Sequence, residues 1–67
     1  MELSMRTGPG SYVVCDVIVW GYETENGHQV MVGIKPRDEV YDEVILDLSI
    51  GDTLDLIAAI ASELRKE

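Results

Sequence analysis

In Tyr22-Glu23-Thr24-Glu25-Asn26-Gly27-His28-Gln29-Val30-Met31, the central Asn26-Gly27 fixes the register of a hairpin. Asn-Gly between two alternating apolar runs is the strongest short-range hairpin signal, because a two-residue type I′ loop needs positive φ at both positions. With Asn26-Gly27 as that loop, Glu25 pairs with His28. Tyr22 then stands opposite Met31, Trp20 opposite Gly33 and Val19 opposite Ile34. Side chains alternate faces along a strand. One face therefore carries Val13, Cys15, Val17 and Val19 with Val30, Val32 and Ile34. The other carries Tyr12, Val14, Ile18, Trp20 and Tyr22 with Met31. A chain of 67 residues cannot cover both faces with its own side chains, so a partner is expected.

N-terminal to the turn, Ser11 to Tyr22 is rich in Val, Ile, Tyr and Trp with period two, the composition of a strand. Its two apolar faces suit an interior or interface strand better than a solvated edge. His28 to Lys35 is the partner strand. Gly33 opposite Trp20 lets the indole lie across bare backbone. Upstream, Thr7-Gly8-Pro9-Gly10 breaks regular structure, and residues 1–10 read as a flexible N-terminal segment. Downstream, Pro36-Arg37-Asp38-Glu39 turns the chain, since Pro36 cannot donate to a ladder. Val40 to Leu48 supplies a third strand with Val44, Leu46 and Leu48 inward. Tyr41, Glu43, Ile45 and Asp47 then point outward, and Tyr41 joins the face of Tyr12, Trp20 and Tyr22.

The last segment is helical. Ser49 or Asp52 can cap it, Asp52 or Asp55 answers the positive end of the macrodipole, and Arg65 and Lys66 fall in the last turn. Leu54, Ile57, Ala58, Ala61 and Leu64 follow the three-four spacing of a buried face, which Leu56 and Ile60 widen. The expected fold is α+β: a three-stranded antiparallel sheet followed by one C-terminal helix (β-β-β-α). The helix is expected on the Val13/Val17/Val19 face, and residues 11–67 form a single domain.

Thirteen acidic residues against five Lys and Arg give a formal net charge of −8. That balance opposes phosphate-mediated nucleic-acid binding and adsorption to anionic membranes. It serves solubility, or it presents an acidic surface to a basic partner in imitation of nucleic acid. The single cysteine, Cys15, excludes an internal disulfide and sits among valines as a small hydrophobe. The N-terminal residues lack the basic and apolar blocks of a signal peptide, and no apolar run reaches the 18 or so residues of a membrane span. A cytoplasmic location is expected.

Catalytic patterns are missing from the sequence. His28 follows the turn with Glu23 and Glu25 across the hairpin and reads as a solvated turn histidine, since proton transfer would need a cleft and an orienting partner. Cys15 has no basic neighbour to lower its pKa. Asp38, Glu39, Asp42, Glu43 and Asp47 form an acidic run without the spacing of a calcium loop. Gly8-Pro9-Gly10 is not followed by the Lys-Ser/Thr of a phosphate loop. No enzyme activity, metal or cofactor is expected. Asp16 alone interrupts the aromatic face, and Lys35, diagonal to it in this register, is its expected counter-charge.

Leu48-Ser49-Ile50-Gly51-Asp52, leading into an Ala/Leu/Ile-rich final helix, resembles small sheet-plus-helix accessory proteins of actinobacteria and their phages. The resemblance covers roughly the last 20 residues and the order of elements. It implies a protein that binds and alters another protein, and it carries over no catalytic residue.

Together these features point to a non-catalytic protein-interaction module, a homodimer through the aromatic sheet face, acting as a small regulatory or inhibitory protein. Its expected partner-binding residues are Tyr12, Ile18, Trp20, Tyr22, Met31 and Tyr41. An acidic nucleic-acid mimic and a small-molecule binder on the aromatic face are the alternatives.

Overall fold

Four antiparallel strands run side by side in chain order: β1 (Glu2–Gly8), β2 (Ser11–Thr24), β3 (Gly27–Pro36) and β4 (Val44–Ser49). The helix α1 (Ile50–Leu64) follows without a break. This computed structural model describes residues 1–66. The sheet curls into a half-barrel with β1 and β4 at its edges.

The expected three strands are corrected to four. Leu3 and Met5 alternate with Ser4 and Arg6, the pattern of a half-buried strand, and they pair with Cys15 and Val13. Pro9-Gly10 turns the chain into β2 instead of merely breaking it. Gly10 adopts φ +72°, and Thr7 is bulged between the Arg6–Tyr12 and Gly8–Ser11 pairs.

The hairpin register also differs. Thr24 pairs with Gly27, so the two loop residues are Glu25 and Asn26. Gly27 has φ +112°, whereas Glu25 and Asn26 keep negative φ, which rules out a type I′ turn. The Thr24 hydroxyl donates to the Gly27 carbonyl at 2.8 Å and accepts from the Asn26 N–H at 3.2 Å. Glycine is therefore used as the left-handed residue that follows an unprimed turn. The pairing is displaced by two residues: Trp20 faces Met31, Ile18 faces Gly33 and Val17 faces Ile34. Because the displacement is even, both sets of face-sharing residues survive it.

β1 pairs with the first half of β2 and β3 with the second half, and the two overlap only around Cys15, Asp16 and Val17. Cys15 and Val17 are accordingly the buried hydrophobic side chains among the described residues. Buried Gly33 and Pro36 lie on the adjoining strand. β4 starts at Val44, not Val40, and pairs Leu46 with Val32 and Leu48 with Val30. Its Val44, Leu46 and Leu48 share the inner face with Cys15 and Val17, as alternation requires.

Ser49 is at once the last residue of β4 and the N-cap of α1. Its hydroxyl accepts from the Asp52 N–H at 3.1 Å. Arg65 closes the helix as C-cap, so neither Arg65 nor Lys66 lies within its last turn. The expected seating of the helix on the Val13/Val17/Val19 face is not observed. No residue of α1 is buried, and its main neighbours are β4 and β3. The physical reason is the junction: with no connecting loop, the helix leaves the sheet edge instead of folding back over it.

The molecule is correspondingly open. Its accessible surface is 5412 Å². A monomeric protein of 7.4 kDa is expected to expose about 4,200 Å². The radius of gyration is 14.2 Å, against about 11 Å for a compact domain of this length.

Candidate interaction surface

The outer face of the sheet is built mainly from the even-numbered residues of β2. Ile18, Trp20 and Tyr22 project there beside Met31 of β3 and Ile45 of β4. Ile18 is 67% exposed, Trp20 42% and Tyr22 39%. On the β1 side no strand among the described residues pairs with β2 beyond Val17. The stretch from Ile18 to Thr24 therefore offers an open edge as well as an apolar face.

Of the six residues expected to bind a partner, Ile18, Trp20, Tyr22 and Met31 are gathered by the register, with Trp20 and Met31 directly opposed. Tyr12 shares the face but lies ten residues from Tyr22, about 33 Å along the strand, where it pairs with Arg6. Tyr41 is not on a strand at all. It sits in the loop between β3 and β4, its N–H bonded to the Asp38 carbonyl at 3.2 Å. Ile45, paired with Gly33 and 52% exposed, belongs to the patch. Its alternation with Leu46 was the available signal.

A charged cluster separates Tyr12 from the Ile18–Tyr22 patch. The Arg37 Nη2 reaches Asp16 Oδ1 at 2.8 Å and Glu2 Oε2 at 3.1 Å, and Nε approaches both Asp16 oxygens at 3.3 Å. Arg37, not Lys35, is thus the partner of Asp16, although Lys35 is directly opposite it in the ladder. The guanidinium fork spans two carboxylates, which a single ammonium does less well. Hydrogen bonding from Arg37 holds the Asp16 carboxyl below its usual range, and Asp16 and Glu2 in turn hold the Arg37 guanidinium more firmly protonated.

At the other end of the patch the Tyr22 hydroxyl donates to Asp47 Oδ2 at 3.3 Å. Partial desolvation, then the Asp47 charge, raises the phenol pKa. His28 bonds Glu23 through Nδ1 at 2.8 Å and lies over Gly21, where an added Cβ would stand 2.6 Å from its Nε2.

The inner face is of different character. Leu3, Met5, Cys15, Ile34 and Val44 line an open groove of about 300 Å³. The face they share continues through Val32, Leu46, Val30 and Leu48 and ends at the Glu23–His28 pair beside Gly21. Cys15 is fully buried at its floor, its thiol directed at the Val13 carbonyl 3.7 Å away.

Among the described residues no three His, Cys, Asp or Glu side chains are placed to hold a metal ion. None of their helices is long and apolar enough to cross a membrane. Compared with known protein families, curated proteins and solved structures, the chain matches none at a significant level.

Proposed function

We propose that this chain is a non-catalytic protein-interaction module that self-associates and presents the Ile18/Trp20/Tyr22/Met31 face to a protein partner. The observation that carries this reading is uncovered apolar surface. The exposed area exceeds that of a compact monomer by roughly 1,200 Å². The excess lies in organised faces of strand and helix, not in scattered side chains. Aromatic residues on such a face are the usual anchors of a protein interface. In cellular terms the reading fits a small regulatory or inhibitory protein of the cytoplasm, of the kind phages and mobile elements encode.

Sedimentation equilibrium at micromolar concentration tests the first half, with a dimer or larger species expected. A 7.4 kDa monomer throughout, retaining no protein from host lysate, overturns the reading. For the second half, a protein captured from host lysate by the wild type is expected to be lost with Trp20→Ala or Tyr22→Ala.

A second reading, an acidic mimic of nucleic acid, is favoured by the exposed Asp38, Glu39, Asp42 and Glu43 in one loop. It requires partner affinity to fall steeply with salt, because exposed charges are screened over about 8 to 10 Å. Apolar docking on Trp20 requires little salt dependence.

A further inference from the structure

We infer that α1 of a second copy of this chain covers the inner face of the sheet, each protomer lending its helix to the other about a two-fold axis. The inference rests on the self-association proposed above and assigns it to two surfaces other than the aromatic face.

Three observations converge on this occupant. First, the helix is made for burial but has none. Ile57 lies in the middle of a stripe that Ile50, Leu54, Ile60, Ala61 and Leu64 complete, while Asp52, Asp55 and Glu63 lie on the opposite side. Ile57 is nevertheless 58% exposed and Leu54 60%. Its own sheet leaves that stripe uncovered because Ser49 ends the strand and caps the helix, whereas strand-to-helix connections commonly take about 2 to 6 residues.

Second, the inner face has the complementary shape and chemistry. The helix is about 22 Å long, enough to cross four strands whose outer members stand about 14 Å apart. From Leu3 to Leu48 the inner face is apolar up to the hairpin end, where the Glu23 carboxylate is bonded to His28. Away from that end, two chains of net charge −8 can meet there without opposing like charges at the contact. The outer face, with Glu2, Asp16, Lys35, Arg37 and Asp47, would oppose charged clusters if two copies stacked on it.

Third, the area fits. Removing the excess of roughly 1,200 Å² from each chain buries about 2,400 Å² in all, within the range of obligate homodimers. An exchange of this kind is isologous, so two copies complete it and the contact itself does not propagate.

The test compares full-length variants by sedimentation equilibrium. Ile57→Glu and Leu46→Glu, one on each proposed surface, are each expected to weaken self-association on the order of a hundredfold, since every substitution occurs twice in the dimer. Trp20→Glu is expected to leave it unchanged. Cross-linking provides a readout in chains that keep their fold. In a Cys15→Ala background, Leu46→Cys and Ile57→Cys chains are mixed and mildly oxidised, and a helix-to-sheet disulfide between chains is expected. In the double variant, a disulfide closed within one chain shows the helix folding back on its own sheet and overturns the inference. Association lost with Trp20→Glu but kept with Ile57→Glu also overturns it, while leaving the interaction reading intact. A wild-type chain that stays monomeric removes the basis of both.

Discussion

Trp20 and Gly33 are diagonal neighbours on the outer face, and the indole lies over the glycine. A Cβ on Gly33 would stand 3.1 Å from Trp20 Cζ3 and 3.4 Å from Cη2. Directly across from Gly33 is Ile18, and directly across from Trp20 is Met31. The ring thus leans along the sheet to shield backbone one pair away, within the reach of a large aromatic side chain.

That contact makes Gly33→Ala and Gly33→Val behave differently. The ring is 42% exposed and can yield a few tenths of an ångström outward. Gly33→Ala should therefore stabilise by about 0.5 kcal/mol through the restricted unfolded backbone, read as a small rise in Tm. Gly33→Val should displace the indole and shift its fluorescence to the red. A blue shift would show the ring gaining cover and would contradict the geometry.

The turn predicts an asymmetry between Asn26 and Gly27. Gly27 holds φ +112° with nothing within 4 Å of an added Cβ, so substitution there is resisted by backbone conformation alone. Gly27→Ala should cost about 1 to 2 kcal/mol, and Gly27→Val more. Asn26→Ala should be much milder, because Asn26 keeps negative φ. Equal penalties at both positions, measured by urea denaturation, would indicate a type I′ turn instead.

The Asp16–Arg37 pair predicts a pH dependence of definite sign. Asp16 titrates below its unfolded value, so its contribution is complete above about pH 4 and is lost as pH falls through the folded pKa. Arg37→Gln should lower Tm at neutral pH. Its difference from wild type should shrink in acid and in high salt, since all three partners are exposed. Lys35→Gln should have the smaller effect. A larger loss with Lys35→Gln would mean that the ammonium holds Asp16.

Ser49 predicts how far the helix stands alone. Its hydroxyl accepts from the Asp52 N–H, and its carbonyl accepts from the Thr53 hydroxyl at 2.7 Å. Ser49→Ala should cost about 1 kcal/mol of helix stability. A solitary helix of 15 residues is marginal in water. Helical circular dichroism should therefore fall in the variant, and fall further on dilution. Helicity indifferent to both the cap and concentration would show that α1 is held by contacts within its own chain.

Legible in the residues alone were the face shared by Ile18, Trp20, Tyr22 and Met31 (though not the place of Tyr41), a hairpin turn near Asn26-Gly27, and an amphipathic helix that follows the sheet. These follow from local periodicity. The period of two assigns faces whichever even register is adopted, so an error of two residues left Ile18, Trp20, Tyr22 and Met31 together. Local sequence also carried the alternation of Leu3 and Met5, although the nearby Gly8-Pro9-Gly10 masked it as a strand. The remaining features depend on long-range contacts and backbone torsions. Whether Gly27 enters the loop or closes it depends on backbone torsions that one dipeptide does not fix, and the strand register depends on that choice. Arg37 displaces Lys35 as partner of Asp16 because the end of β3 brings its longer, forked side chain between Asp16 and Glu2. The helix leaves the Val13/Val17/Val19 face uncovered because Ser49 serves strand and cap at once, a constraint of chain connectivity that hydrophobic periodicity cannot express.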